Sequence, residues 1–84
     1  MVFDIPSWLA DMAGCDRTAV VHRSEARPAQ SVEVEYELCD SRSAKVLMRP
    51  AGQARRAANW EIVATLDGRA ERIELPAGAR VIWR

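Results

Sequence analysis

Residues 32–38 alternate without a fault: Val32, Val34, Tyr36 and Leu38 take one set of positions, Glu33, Glu35 and Glu37 the other. Successive side chains of a strand point to opposite faces, so this period of two predicts a β-strand with one buried and one wet face. It is the wrong period for a helix. Nearer the start, Ile5, Trp8, Leu9 and Met12 recur at i, i+3, i+4 and i+7, the apolar stripe of a short helix. Asp4 is placed to cap its N-terminus, Pro6 is tolerated in the first turn, and Gly14 stands where the helix must stop. A helix this short does not hold by itself in water. Its stripe must therefore dock, on the protein's own sheet or in a groove of another protein.

The remaining pattern is mostly strands and turns. Thr18–His22 is a short β-like run, followed by a turn-prone stretch from Ser24 to Gln30 that contains Pro28. Asp40–Ser43 is a polar turn, and Lys45–Arg49, ended by Pro50, is the return strand of a hairpin. Lys45 and Arg49 would then lie beside the glutamate ladder. The 50–59 segment has no alternation and reads as a long loop, or as one exposed helical turn from Ala54 to Ala58. Beyond it, Trp60–Leu66 and Arg69–Leu75 flank Asp67-Gly68, the strongest short hairpin signal, because both central residues of a type I′ turn need positive φ. A two-residue loop pairs Leu66 with Arg69, Ala64 with Glu71, Ile62 with Ile73, and Trp60 with Leu75. The bulky apolar residues fall on one face, and a slip of one residue would undo that agreement. On the other face Val63 meets Arg72 and Glu61 meets Glu74, a like-charge pair that calls for solvent or arginines nearby. Pro76–Ala79 is a second turn, and Arg80–Arg84 a final strand.

One helix and five or six short strands give an α+β fold, with the N-terminal helix packed on an antiparallel sheet of about five strands. A small open β-barrel is the alternative. At 84 residues the chain has room for one core, residues 1–84 forming a single domain, with stability on the order of 4–12 kcal/mol. No apolar run approaches the length of a membrane span. The N-terminus carries Asp4 and lacks a basic region, unlike a signal peptide. With two cysteines, far too few for a disulfide-built scaffold, these features give a cytoplasmic expectation. Cys15 and Cys39 read as reduced, partly buried thiols; a bridge between them is possible, but nothing in the sequence supports it.

Net charge is zero, yet the halves differ: residues 1–41 hold three Arg against eight Asp/Glu, and residues 42–84 hold nine Arg/Lys against four. Eleven of the twelve basic residues are arginine, whose fork suits carboxylate and phosphate better than an ammonium does. Chemistry is harder to find. His22 is the one histidine, and pairing it with Cys15 or Cys39 is not asked for by the spacing. Glu33, Glu35 and Glu37 share a wet strand face, the opposite of the apolar pocket that raises a catalytic carboxyl's pKa. The glycines are isolated, and Cys15, His22 and Cys39 lack zinc-site spacing. No catalytic residue, metal site or cofactor is expected.

What remains is binding. The acidic ladder Glu33, Glu35, Glu37 set against the basic half, with Arg72 and the Arg55-Arg56 loop as anchors, points to a non-enzymatic module that binds a protein partner. The same polarity suits self-association. Motif-free domains of this size are common among phage and mobile-element accessory proteins that inhibit a host system or serve as assembly subunits; that analogy is one of class. The alternative is a small β-sheet nucleic-acid-binding protein using the Arg-rich C-terminal half. No membrane role is expected.

Overall fold

A computed structural model describes residues 1–26, 30–51 and 59–84. The elements run β1 (Val2–Asp4), α1 (Ile5–Ala13), β2 (Thr18–Ala26), β3 (Ser31–Leu38), β4 (Ser43–Pro50), β5 (Trp60–Leu66), β6 (Arg69–Leu75) and β7 (Arg80–Ile82). Strands β2 to β6 form one antiparallel meander in sequence order, and β1 pairs in parallel with β7 as a separate two-stranded sheet. The meander is open, with β2 and β6 as its edges, so the α+β reading holds and the barrel alternative falls.

The helix begins and ends where its sequence dictates. The Asp4 carboxylate accepts the Ser7 N–H at 3.1 Å, Pro6 sits in the first turn, and Gly14 leaves the helix at φ 70°. Ile5 and Leu9 are fully buried, while Trp8 and Met12 pack on the core beside them. Helix α1 therefore docks on the protein's own sheet.

The core lies between that helix and the inner face of the meander. Val34, Tyr36 and Leu38 come from β3, Ala44 and Val46 from β4, Ile62, Ala64 and Leu66 from β5, and Leu75 from β6. Burying each valine, leucine or isoleucine among them stabilises the fold by roughly 1.5–3 kcal/mol before entropy is counted. Cross-strand register follows the hydrophobic pattern: Val34 faces Val46, Val46 faces Ala64, and Ile62 faces Ile73. The β5–β6 hairpin has the predicted pairing throughout, with Asp67 and Gly68 at φ 52° and 74°. Tyr36 is buried and its hydroxyl donates to the Trp83 carbonyl at 2.5 Å. Burial pushes its pKa up to about 12, Arg23 opposing and Asp4 adding to the rise, so the phenol stays a donor.

Three local expectations are corrected. Strand β2 does not stop at His22 but runs to Ala26, because Arg23–Ala26 pair with Ser31–Val34 and that ladder outweighs the turn-like composition of Ser24-Glu25-Ala26. The C-terminal strand is shorter than Arg80–Arg84 and stands outside the main sheet, on β1. Cys15 and Cys39 are joined as a disulfide rather than left as thiols. The αL exit at Gly14 and the end of β3 bring their Cα atoms to 5.6 Å, within the usual span of a bridge. The reading of 50–59 as a loop or helical turn, and the place of Pro28, fall on residues 27–29 and 52–58, which lie outside the described residues.

Candidate functional site

Whatever points away from the helix makes up the outer face of the meander. Its cross-strand rows follow from the register. One row runs Ser24, Glu33, Leu47, Val63, Arg72, and the next runs His22, Glu35, Lys45, Thr65, Ala70. Glu37 lies between Ala19 and Ser43, and Arg49, Glu61 and Glu74 make a shorter row. A bulge in β2 sets the first column. The register shifts between Val20 and His22, so Val21 is the extra residue and His22 lands opposite Glu35 on the outer face.

The structure thus brings Glu33, Glu35 and Glu37 together on one strand face, and places Arg72 on the same face three strands away, about 14 Å across at the usual strand spacing. Lys45 stands directly opposite Glu35, as expected beside the ladder. Arg49 does not join the ladder. It turns instead to Glu61 on β5, at 3.3 Å. Arg72 reaches the same carboxylate at 2.7 Å, and Asn59 donates to Glu74 at 2.7 Å. The repulsion between Glu61 and Glu74 is in this way offset by two guanidiniums on Glu61 and an amide donor on Glu74. Arg55 and Arg56 lie outside the described residues.

The alternation of charge and pairing missed the centre of this face. Leu47 and Val63 pair directly across β4 and β5, both half-buried, and neither is among the residues packed on the core. A signal for them was present. Val46 and Met48 take inner positions and so force Leu47 outward, and Ile62 and Ala64 do the same to Val63. A half-buried apolar pair thus lies at the middle of a sheet face, rimmed by Glu33, Lys45, Arg49, Glu61 and Arg72. No Phe, Tyr or Trp ring is on this face among the described residues; Phe3, Trp8, Trp60 and Trp83 pack on the core and Tyr36 is inside it.

The helix-ward end of the sheet carries a second polar cluster, around Arg42. Its guanidinium bonds to Asp40 at 2.5 Å, to Asp67 at 2.7 Å and to the Ala13 carbonyl at 2.9 Å. One side chain thereby ties the β3–β4 turn, the β5–β6 turn and the end of α1. Partial desolvation pushes the Asp40 carboxyl up, but hydrogen bonds from the Arg42 backbone and guanidinium, with its charge, outweigh it and hold the group below its ordinary 3.8. A depressed folded-state pKa stabilises the fold above the ordinary value and loses that effect as pH falls through the folded one. Asp40→Asn should therefore lower the urea midpoint at neutral pH, and the gap to the wild type should close well below pH 4; a gap that persists there would refute the ion-pair origin.

Cys15, Cys39 and Asp40 bring two sulfurs and a carboxylate within 4.8 Å of one another. With the sulfurs bonded together and the carboxylate on Arg42, the group has no thiolate to offer a cation. The same bridge removes both thiols from any pairing with His22, which is exposed on the outer face. No helix is long and apolar enough to cross a membrane among the described residues. No family model, no curated protein and no solved structure matches the chain.

Proposed function

We propose that this chain is a non-catalytic binding module that takes a protein partner on the outer face of its meander. The observation that carries this reading is the Leu47–Val63 pair, half-buried, outside the core cluster and rimmed by charges of both signs. Protein interfaces have that anatomy: an apolar centre that is desolvated on binding, and a polar rim that sets register and excludes water. The rim here is acidic along β3 and basic at Lys45, Arg49 and Arg72, so the favoured partner surface presents an apolar side chain between a basic and an acidic flank. Inhibition of a host system and assembly into a particle both work through that single act of occupying a surface.

The nucleic-acid alternative draws less support. Base stacking needs exposed rings, and the tryptophans pack inward. Reduced thiols agree with the cytoplasmic expectation, and the Cys15–Cys39 bridge removes that agreement. The test is capture of partners by immobilised wild type and by Leu47→Asp/Val63→Asp, with and without nuclease, each variant first checked for a native circular dichroism spectrum. A protein captured by the wild type should bind the variant roughly 30-fold more weakly or not at all. Equal capture by both would remove the outer face from consideration, and loss of all capture on nuclease treatment would favour nucleic acid.

A further inference from the structure

Among the described residues the meander ends in two strands that pair on one side only, β2 and β6. An open edge offers N–H and C=O groups that a further strand can complete. The two edges differ in what their charges are doing. On β6, Arg72 is held by Glu61 and Glu74 by Asn59, both at 2.7 Å, so these two side chains, though exposed, already bond to β5 and the residue before it. On β2 every residue after Thr18 is exposed, and Arg23 and Glu25 bond to each other at 3.0 Å with about half of each side chain in solvent.

Beyond its bulge, strand β2 pairs without interruption from His22 to Ala26, and the midpoint of that segment is Ser24. Arg23 and Glu25 lie opposite Val34 and Val32 and so take the inner side, where the Arg23 guanidinium rests 5.9 Å from the Trp83 ring centre. His22, Ser24 and Ala26 take the outer side. If two such segments run antiparallel about a two-fold axis at Ser24, all five residues pair. Ser24 then meets its copy, His22 meets Ala26, and Arg23 meets Glu25 twice, once from each protomer. The register is self-correcting. A slip of two residues, the smallest that keeps both inner faces on one side, sets Arg23 against Arg23 or Glu25 against Glu25.

We infer that β2 is a homodimerisation edge: two copies of this chain join antiparallel through His22–Ala26, Arg23 of each pairing with Glu25 of the other. The seam makes one continuous sheet of the two meanders. Because the axis is perpendicular to the sheet, both outer faces turn the same way, and the Leu47–Val63 pair of each copy stays free. So short a seam makes a weak dimer, populated at high protein concentration and sensitive to salt.

Light scattering across a concentration series tests this. The wild type should pass from monomer to dimer, while Arg23→Glu and Glu25→Arg should each stay monomeric at the same concentrations. The double swap Arg23→Glu/Glu25→Arg restores the complementary pairing and should restore the dimer. A second readout does not rely on charge: Ser24→Cys sits on the axis and should give a covalent dimer with a short bismaleimide, whereas Ala70→Cys on the opposite edge should not. A wild type that stays monomeric throughout, single reversals that leave the dimer intact, a folded double swap that fails to dimerise, or equal cross-linking at positions 24 and 70 would overturn the inference.

Discussion

Opening the Cys15–Cys39 bridge is expected to lower the unfolding free energy by about 3–4 kcal/mol, as loop-closure entropy gives for a cross-link of this span. The cysteines are 24 residues apart, and the loop they close contains the whole of the β2–β3 hairpin. Unbridged, the denatured chain regains the freedom of that loop, while the folded protein keeps its core, the Arg42 bond to the Ala13 carbonyl and the β1–β7 pairing. The loss thus falls on the balance between states rather than on the native architecture. Against a total on the order of 4–12 kcal/mol it is a large fraction. In a chain this size it corresponds to a fall in Tm of roughly 20 °C. Cys39 is exposed, so a soluble dithiol has access to the bridge. Urea denaturation of the oxidised protein, the reduced protein and Cys15→Ala/Cys39→Ala should give one high and two similar lower midpoints, all three with native circular dichroism before the transition. Coincident midpoints would show that the bridge constrains nothing.

The parts of this fold that the sequence made legible are those decided by neighbours along the chain. The 32–38 alternation and the Asp67-Gly68 turn each impose their geometry locally, so β3 was readable to within one residue and the β5–β6 register in full. The helix was readable for the same reason, since Asp4, Pro6 and Gly14 act within one turn of themselves. The bridge, the β1–β7 pair and the Arg42 cluster are of another kind. Val2–Asp4 is too short to show a period, and it becomes a strand only because Arg80–Ile82 is brought beside it. Nothing near Arg42 in sequence announces Asp67 or the Ala13 carbonyl, which the finished sheet delivers to it. Strand β2 shows the same effect, as pairing with β3 extends it through residues whose own preference is for a turn. The candidate site divides likewise. Its acidic stripe and Arg72 were visible as charges, but the apolar centre at Leu47 and Val63 becomes visible only once inner and outer positions are assigned strand by strand.

Truncation of Leu9 to alanine should cost about 2–5 kcal/mol, the usual range for a fully buried leucine that leaves a cavity behind. Alanine is the best helix former, so the substitution does not weaken α1 as a helix. Any loss therefore measures docking. Leu9 and Ile5 are both fully buried against the inner face, and Asp4 is at once the last residue of β1 and the cap of α1. A helix that rises from the sheet must then drag β1 from β7, and with it loosen the segment whose Trp83 carbonyl receives the Tyr36 hydroxyl. Two observables should move together in Leu9→Ala: a lower urea midpoint, and faster hydrogen exchange not only in α1 but also along β1 and β7. Asp11→Ala, exposed and off the apolar stripe, provides the contrast and should stay within about 0.5 kcal/mol of the wild type. If Leu9→Ala behaved like Asp11→Ala, the helix would be an ornament on a self-sufficient sheet. If exchange quickened in α1 alone, the two-stranded sheet would be anchored by Phe3 and Val81 rather than through the helix.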